Sequence, residues 1–119
     1  MSDCLFCRIV AGAIPCRKVY EDDDMLAFHD ISPMRPVHVL LIPKKHIASL
    51  ASITPEDAPV LGRMLARASE IAVLAGSADG FRLIINTGRV GHQEVPHLHL
   101  HIVGGPDPVG PMLKPVKPV

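Results

Sequence analysis

At 119 residues the chain has room for one domain with a real core, and its 48% hydrophobic and 20% charged residues are those of a globular protein. Lys and Arg (12) balance Asp and Glu (12), no basic run occurs, and one Tyr and three Phe offer few stacking platforms, so attraction to nucleic acid or a membrane surface is not expected. No apolar run approaches the roughly 18 residues of a membrane span, no signal-peptide core opens the chain, and an odd count of 3 cysteines argues against a disulfide framework, which points to the cytoplasm.

Leu5, Phe6, Ile9 and Val10 suit one face of a short helix ended by Gly12 and Pro15. Cys4 and Cys7 would point the same way on a helical turn. Their spacing fits half a zinc site, a redox pair or two small buried thiols; a redox pair usually follows a strand, and none precedes Cys4. Cys16 stands alone. Residues 19–21 read as a short strand, with a solvated acidic turn at Asp22, Asp23 and Asp24 that lacks the spacing and glycine of a calcium loop. Residues 25–31 read as the next strand, followed by a turn at Ser32-Pro33 and Arg35-Pro36. Residues 37–42 form the most apolar strand, interrupted by His38 and closed by Pro43, and Lys44-Lys45-His46 follows on a loop.

Thr54-Pro55-Glu56-Asp57 predicts a helix start, with a capping hydroxyl, Pro in the first turn and early acids. Pro59 loosens that first turn, so regular helix is expected from near Pro59 to Ala75, stopping at Gly76. Leu61, Leu65, Ala68 and Ala72 make its apolar stripe, with Val60, Met64 and Ile71 beside it. The stripe is broad enough to face both a sheet and a partner subunit. A strand follows at residues 81–86, then a Gly-containing loop at 87–96, a last strand at 97–103, and an extended Pro-rich tail at 105–119 with Met112-Leu113 as its sticky point. Short connections make neighbouring strands antiparallel. The expected architecture is α+β over residues 1–119 as one domain: about five antiparallel strands, one long helix and one short one, with the helices against one face.

The last strand carries the chemistry. In His97-Leu98-His99-Leu100-His101-Ile102-Val103, alternation puts three imidazoles on one face, neighbours roughly 7 Å apart, and Leu98, Leu100 and Ile102 on the other. Histidine is a poor choice for a merely polar strand face. Two charged rings at that distance would repel by on the order of 2 kcal/mol at an effective dielectric of about 20. Some therefore stay neutral near pH 7, the state needed for a nucleophile or a metal ligand, while a protonated neighbour can neutralise an anion. That division suits phosphoryl or nucleotidyl transfer, with one ring attacking phosphorus and others binding its oxygens. Asn86 and backbone N–H groups of residues 91–95 can add donors. A three-histidine zinc site is the alternative, although Glu94 is the only acid close by in sequence to act as its base.

These residues resemble the histidine-triad (HIT) nucleotide hydrolases and transferases. Phe28-His29-Asp30-Ile31-Ser32-Pro33, the VLLIPKKH segment from Val39 to His46, Asn86-Thr87-Gly88 and Gly104-Gly105-Pro106 are similar to that family in the same order and spacing. The resemblance runs from about Asp3 to Met112 and is nearest to the small nucleotide-binding branch, the purine nucleoside phosphoramidases. It implies hydrolysis of nucleoside 5′-phosphoramidates of AMP or GMP through a nucleotidyl-histidine. His99 would be the nucleophile, His101 would bind the phosphate oxygens and assist the leaving group, and His38 would support them. Asn86, Gln93, Glu94 and Val95 would complete the phosphate site. Asp30 would hold the ribose hydroxyls, and Phe6, Ile14, Phe28, His29 and Ile31 would enclose the base. Plainer roles exist: Asp30 as a turn cap, Asn86 bonded to turn backbone, His38 as a satisfied core histidine, Phe6 and Ile14 as core.

Some relatives in this family also carry structural zinc on positions matching Cys4, Cys7, His46 and His97, which would make the first triad histidine structural; no catalytic metal is implied. Small members are homodimers joined through the long helix and a strand. The chain departs from the branch at Glu94, where serine is frequent, at His92, where glycine is common, and at Pro96, where an aromatic is common, so loop shape and leaving-group preference should differ. A dinucleoside polyphosphate hydrolase and a non-catalytic nucleotide-binding regulator are the alternative readings. The short tail and VLLIPKKH favour the phosphoramidase over the former, and the intact His99, His101, Asn86 and Asp30 set favours it over the latter.

Overall fold

The computed structural model describes residues 3–113, 115 and 116. Part of the expected tail, Lys114 and residues 117–119, lies outside them. In order the elements are α1 (Leu5–Val10), β1 (Lys18–Glu21), β2 (Met25–His29), β3 (Val37–Pro43), two 3₁₀ turns (Leu50–Ser52 and Pro55–Asp57), α2 (Ala58–Ala75), β4 (Arg82–Ile85) and β5 (Leu100–Gly104). The five strands form one antiparallel sheet in the order β1-β2-β3-β5-β4. No helix among the described residues is long and apolar enough to cross a membrane.

β2 and β3 are buried at nearly every position, so both faces of the sheet need cover. α2 packs Met64, Ala68, Ile71 and Ala72 on the face carrying Met25, Ala27, Val39, Leu41, Leu100 and Ile102. α1 brings Cys4 and Phe6 to the opposite face, against Leu26, Phe28, Leu40 and Ile42. The helices thus lie on opposite faces, not on one as the sequence reading had it. The stripe on α2 is also rotated: Met64 is fully buried, whereas Leu65, one position around the helix, is 55% exposed. Cys16 packs at the rim of the α1 cluster, where burial pushes its thiol pKa up.

The turns are set by local chemistry. Asp22 Oδ1 accepts the Asp24 and Met25 N–H groups at 2.8 and 3.0 Å, confirming the acidic turn. β2 stops at His29, two residues earlier than expected, because Asp30 Oδ1 turns to accept the Ser32 N–H at 2.8 Å. Before α2, Asp57 Oδ2 accepts the Thr54 N–H at 3.0 Å while Oδ1 takes Lys45 Nζ at 2.7 Å. α2 ends on Gly76 at φ 106°, and the Ser77 N–H reaches back to the Ala72 carbonyl at 2.8 Å. Gly104 closes β5 beside this cap, where an added Cβ would lie 2.1 Å from Ser77 Oγ.

The histidine stretch is only partly strand. Leu98 donates to the Ile47 carbonyl at 2.6 Å and His97 to Val95 at 2.8 Å, so the ladder begins at Leu100. The alternation still holds. Leu98, Leu100 and Ile102 face α2, while His97 and His99 both meet the edge of Phe6 on the other side, at ring distances of 5.8 and 5.1 Å.

Candidate active site and metal cluster

β3 and β5 present His38 and His101 from adjacent strands, with His38 Nε2 and His101 Nδ1 2.9 Å apart. The backbone decides where the protons sit. The Met34 N–H donates to His38 Nδ1 at 3.0 Å, so a neutral His38 carries its proton on Nε2. That proton points at His101 Nδ1, which must accept, leaving the His101 proton on Nε2. His99 is set the other way. Its Nδ1 lies 2.7 Å from the His97 carbonyl, an acceptor only, so Nδ1 holds the proton and Nε2 keeps a lone pair. Two buried or half-buried imidazoles with ring centres 5.0 Å apart therefore present one lone pair and one N–H. The two ring planes are inclined at 62° to each other, an edge-to-face contact. Burial holds the His101 pKa down, to about 4, helped by the neighbouring His99 and His38 and opposed by Asp30 and Glu94. His101 is thus a neutral donor at pH 7.

Asp30 lies beside this pair. Oδ2 is 3.5 Å from His38 Nε2, and Oδ1 holds the Ser32 turn. Asn86 follows β4 and lines a cleft of about 290 Å³ with His38 and His101. Gln93 is committed elsewhere: its amide donates to the Ala48 and Val95 carbonyls at 2.7 and 2.9 Å, its Oε1 accepts the Gly88 N–H at 3.1 Å, and its own N–H bonds the Gly88 carbonyl at 3.0 Å. It braces the loop and has no donor left for a phosphate, contrary to expectation. The Glu94 carboxylate is exposed and meets His92 Nε2 at 3.3 Å. The Glu94 and Val95 N–H groups carry no hydrogen bond among the described residues. His92 sits at φ 59°, a left-handed conformation that glycine adopts more easily. Its neighbour Gly91 is required, since a Cβ there would fall 2.5 Å from the Thr87 carbonyl oxygen.

Phe6 and Phe28 meet edge to face at 5.7 Å, with Ile14 half-buried and Ile31 98% exposed. Strand alternation turns His29 to the face opposite Phe28, so its imidazole does not join that apolar wall.

The four remaining residues converge as expected. The ligand atoms of Cys4, Cys7, His46 and His97 all lie within 4.8 Å of one another. His97 Nδ1 is 3.3 Å from Cys4 Sγ and 3.5 Å from Cys7 Sγ, and His46 Nδ1 is 3.2 Å from Cys7 Sγ. Those separations match the edges of a tetrahedron with metal–sulfur bonds of about 2.3 Å and metal–nitrogen bonds of about 2.0 Å. His97 Nε2 lies 2.9 Å from the Pro43 carbonyl, which fixes its proton there and frees Nδ1 for a metal. The donor set fits zinc. Backbone partners of the histidines (Met34 N–H, Pro43 C=O, His97 C=O) and the cleft arginines Arg35 and Arg82 escaped sequence reading, since nothing local marks them.

The HIT domain family model matches residues 11–107, which hold the five-stranded antiparallel sheet and the row of His97, His99 and His101 leading into β5, and the chain belongs to that family. It is 53% identical over 106 residues to protein HitA of Neisseria gonorrhoeae (89% of this chain, 99% of that protein). It is 47% identical over 110 residues to the purine nucleoside phosphoramidase of Escherichia coli K12, covering 92% of each. Among solved structures it resembles a histidine triad protein from Clostridium difficile (TM-score 0.86, 42% identity, 94% and 98% of the two chains). A zinc-bound histidine triad family protein from Mycobacterium smegmatis is also similar (TM-score 0.72, 36% identity, 87% and 75%).

Proposed function

We propose that the protein hydrolyses purine nucleoside 5′-phosphoramidates to the nucleoside monophosphate and a free amine. The observation that carries this reading is the opposite hydrogen bonding of His99 and His101 side by side, Nδ1 of the one on a carbonyl and Nδ1 of the other on His38 Nε2. His99 Nε2 attacks the α-phosphorus, forming a P–N bond to histidine as the bond to the amine breaks. The amine leaves with that electron pair and takes a proton from solvent, while His101 Nε2–H hydrogen-bonds the phosphate oxygens and the departing nitrogen. Water then attacks phosphorus, the P–Nε2 bond breaks, its electrons return to His99, and a proton passes to solvent. Asn86 and the Glu94 and Val95 N–H groups bind the phosphate. The free lone pairs of Asp30 accept the ribose hydroxyls, and Phe6, Phe28, Ile14 and Ile31 receive the base. The relationship to the E. coli phosphoramidase supports the same assignment.

Cys4, Cys7, His46 and His97 hold a structural zinc that ties α1 to the catalytic segment, a reading supported by the zinc-bound mycobacterial relative. Thiol ligands suit the reducing cytoplasm. A homodimer accounts for the exposed apolar side chains of Leu65, Val73 and Leu74 on α2 and for the open edge of the sheet at β4. The test is AMP release from adenosine 5′-phosphoramidate, with diadenosine polyphosphates in parallel. Turnover is expected for the former, at least roughly tenfold more efficient than for the latter. No AMP from the phosphoramidate would defeat the reading.

A further inference from the structure

The cleft beyond His101 contains two guanidinium groups to which the reaction above gives no role. Arg35 comes from the β2–β3 loop and Arg82 from β4. Arg82 pairs with Val103 across the ladder and Ile84 pairs with His101, so Arg82 stands on the same face as the catalytic pair. Neither arginine takes part in an ion pair among the described residues. Arg35 donates only to the neutral carbonyls of Met34 and Val109, at 2.7 and 3.4 Å. Arg82 donates only to those of Gly110 and Pro111. Each side chain keeps further N–H donors in a planar fork suited to an anionic oxygen pair.

The order of groups across the face gives these charges a direction. Phe6 abuts His99 at 5.1 Å, His99 abuts His101 at 5.0 Å, and His101 borders the cleft. With the base against Phe6, the ribose at Asp30 and His99 attacking in line, the leaving group departs opposite His99, on the side where His101 borders the cleft. Its volume of about 290 Å³ holds a small group.

We propose that Arg35 and Arg82 form a leaving-group subsite that selects substrates bearing negatively charged oxygens on the group to be released. This rests on the phosphoramidase reading for its orientation. A charged oxygen replaces the neutral tail carbonyls with charge-assisted bonds, which are about twice as strong. Two sources supply such oxygens: the carboxylate of an amino-acid-like amine, or the further phosphates of a polyphosphate chain.

Binding is measured in the His99→Ala background, so that no turnover is needed. The ligands are adenosine 5′-phosphoramidates of β-alanine and of its neutral carboxamide, with diadenosine tetraphosphate as the polyphosphate arm. The acidic amidate is expected to bind about tenfold more tightly than the neutral one, and Arg35→Gln with Arg82→Gln should bring the two within about twofold. A loss of the same size confined to the tetraphosphate assigns the subsite to polyphosphates instead. The proposal is overturned if neither anionic ligand, relative to the neutral amidate, loses more than about twofold on removing both arginines. Thermal unfolding of the double variant checks its fold, and the Arg35→Gln single variant, whose side chain holds one tail carbonyl only, repeats the comparison if it unfolds. A protein that shows the arginine-dependent preference but whose wild type releases no AMP would sink the phosphoramidase reading and keep the subsite.

Discussion

His99→Ala should lower kcat for phosphoramidate hydrolysis by at least roughly three orders of magnitude while AMP still binds within about threefold of the wild-type affinity. The size follows from where the protons are. His99 Nε2 is the one lone pair of the two rings left without a hydrogen bond among the described residues, because Nδ1 is tied to the His97 carbonyl at 2.7 Å. His101 cannot stand in for it. Its Nδ1 lone pair is spent on His38 at 2.9 Å, and its remaining nitrogen carries the proton. Binding survives because the apolar wall of Phe6 and Phe28 and the Asp30 carboxylate lie on other elements. Single-turnover kinetics together with equilibrium titration of AMP separate the two effects. A variant that loses binding and kcat together would give His99 a role in holding the nucleotide instead.

The second large effect concerns the metal cluster. Removing zinc by chelation under reducing conditions, or replacing Cys4 by Ala, should lower Tm by roughly 10 °C, the equivalent of losing a ligand held at about a hundred times its Kd. Activity should fall with it, and the reason is His97. This one residue turns Nδ1 into the Cys4–Cys7–His46 cluster, 3.3 Å from Cys4 Sγ, its Nε2–H to the Pro43 carbonyl at 2.9 Å, and its own carbonyl to His99 Nδ1 at 2.7 Å. Loosening the ring loosens the carbonyl that keeps the nucleophile in its reactive tautomer. Differential scanning calorimetry of protein with and without metal, alongside metal content, provides the check. An unchanged Tm after complete removal would show that Cys4, Cys7, His46 and His97 merely pack together.

Much of this was legible because it depends on periodicity. The alternation of His97, His99 and His101 with Leu98, Leu100 and Ile102 assigns faces whether or not the first half of the segment joins a ladder. The helix from Ala58 to Ala75 was marked by Thr54 and Asp57 at one end and Gly76 at the other. The four metal-cluster residues were legible as a set only through the family resemblance. What escaped depends on backbone groups brought from far away. The proton positions on His97, His99 and His38 are set by Pro43, His97 and Met34 main-chain atoms, which no side-chain pattern records. Gln93 looked like a phosphate donor because it lies in the right loop, but an amide with two donors and an acceptor also suits a loop brace. The placement of the two helices on opposite faces was readable in principle. β2 and β3 are apolar at nearly every position, the mark of strands covered on both sides, and a single helix cannot supply both covers.

In the proposed reaction His99 carries the nucleotide between the two steps. The check is to mix wild-type protein with adenosine 5′-phosphoramidate, quench in base within a turnover, where a phosphorus–histidine bond persists, and measure intact and peptide masses. One adenylyl group should appear on the peptide containing His99 and should be absent from the His99→Ala protein. AMP released at full rate with no adduct at any quench time, or an adduct on His101, would contradict it.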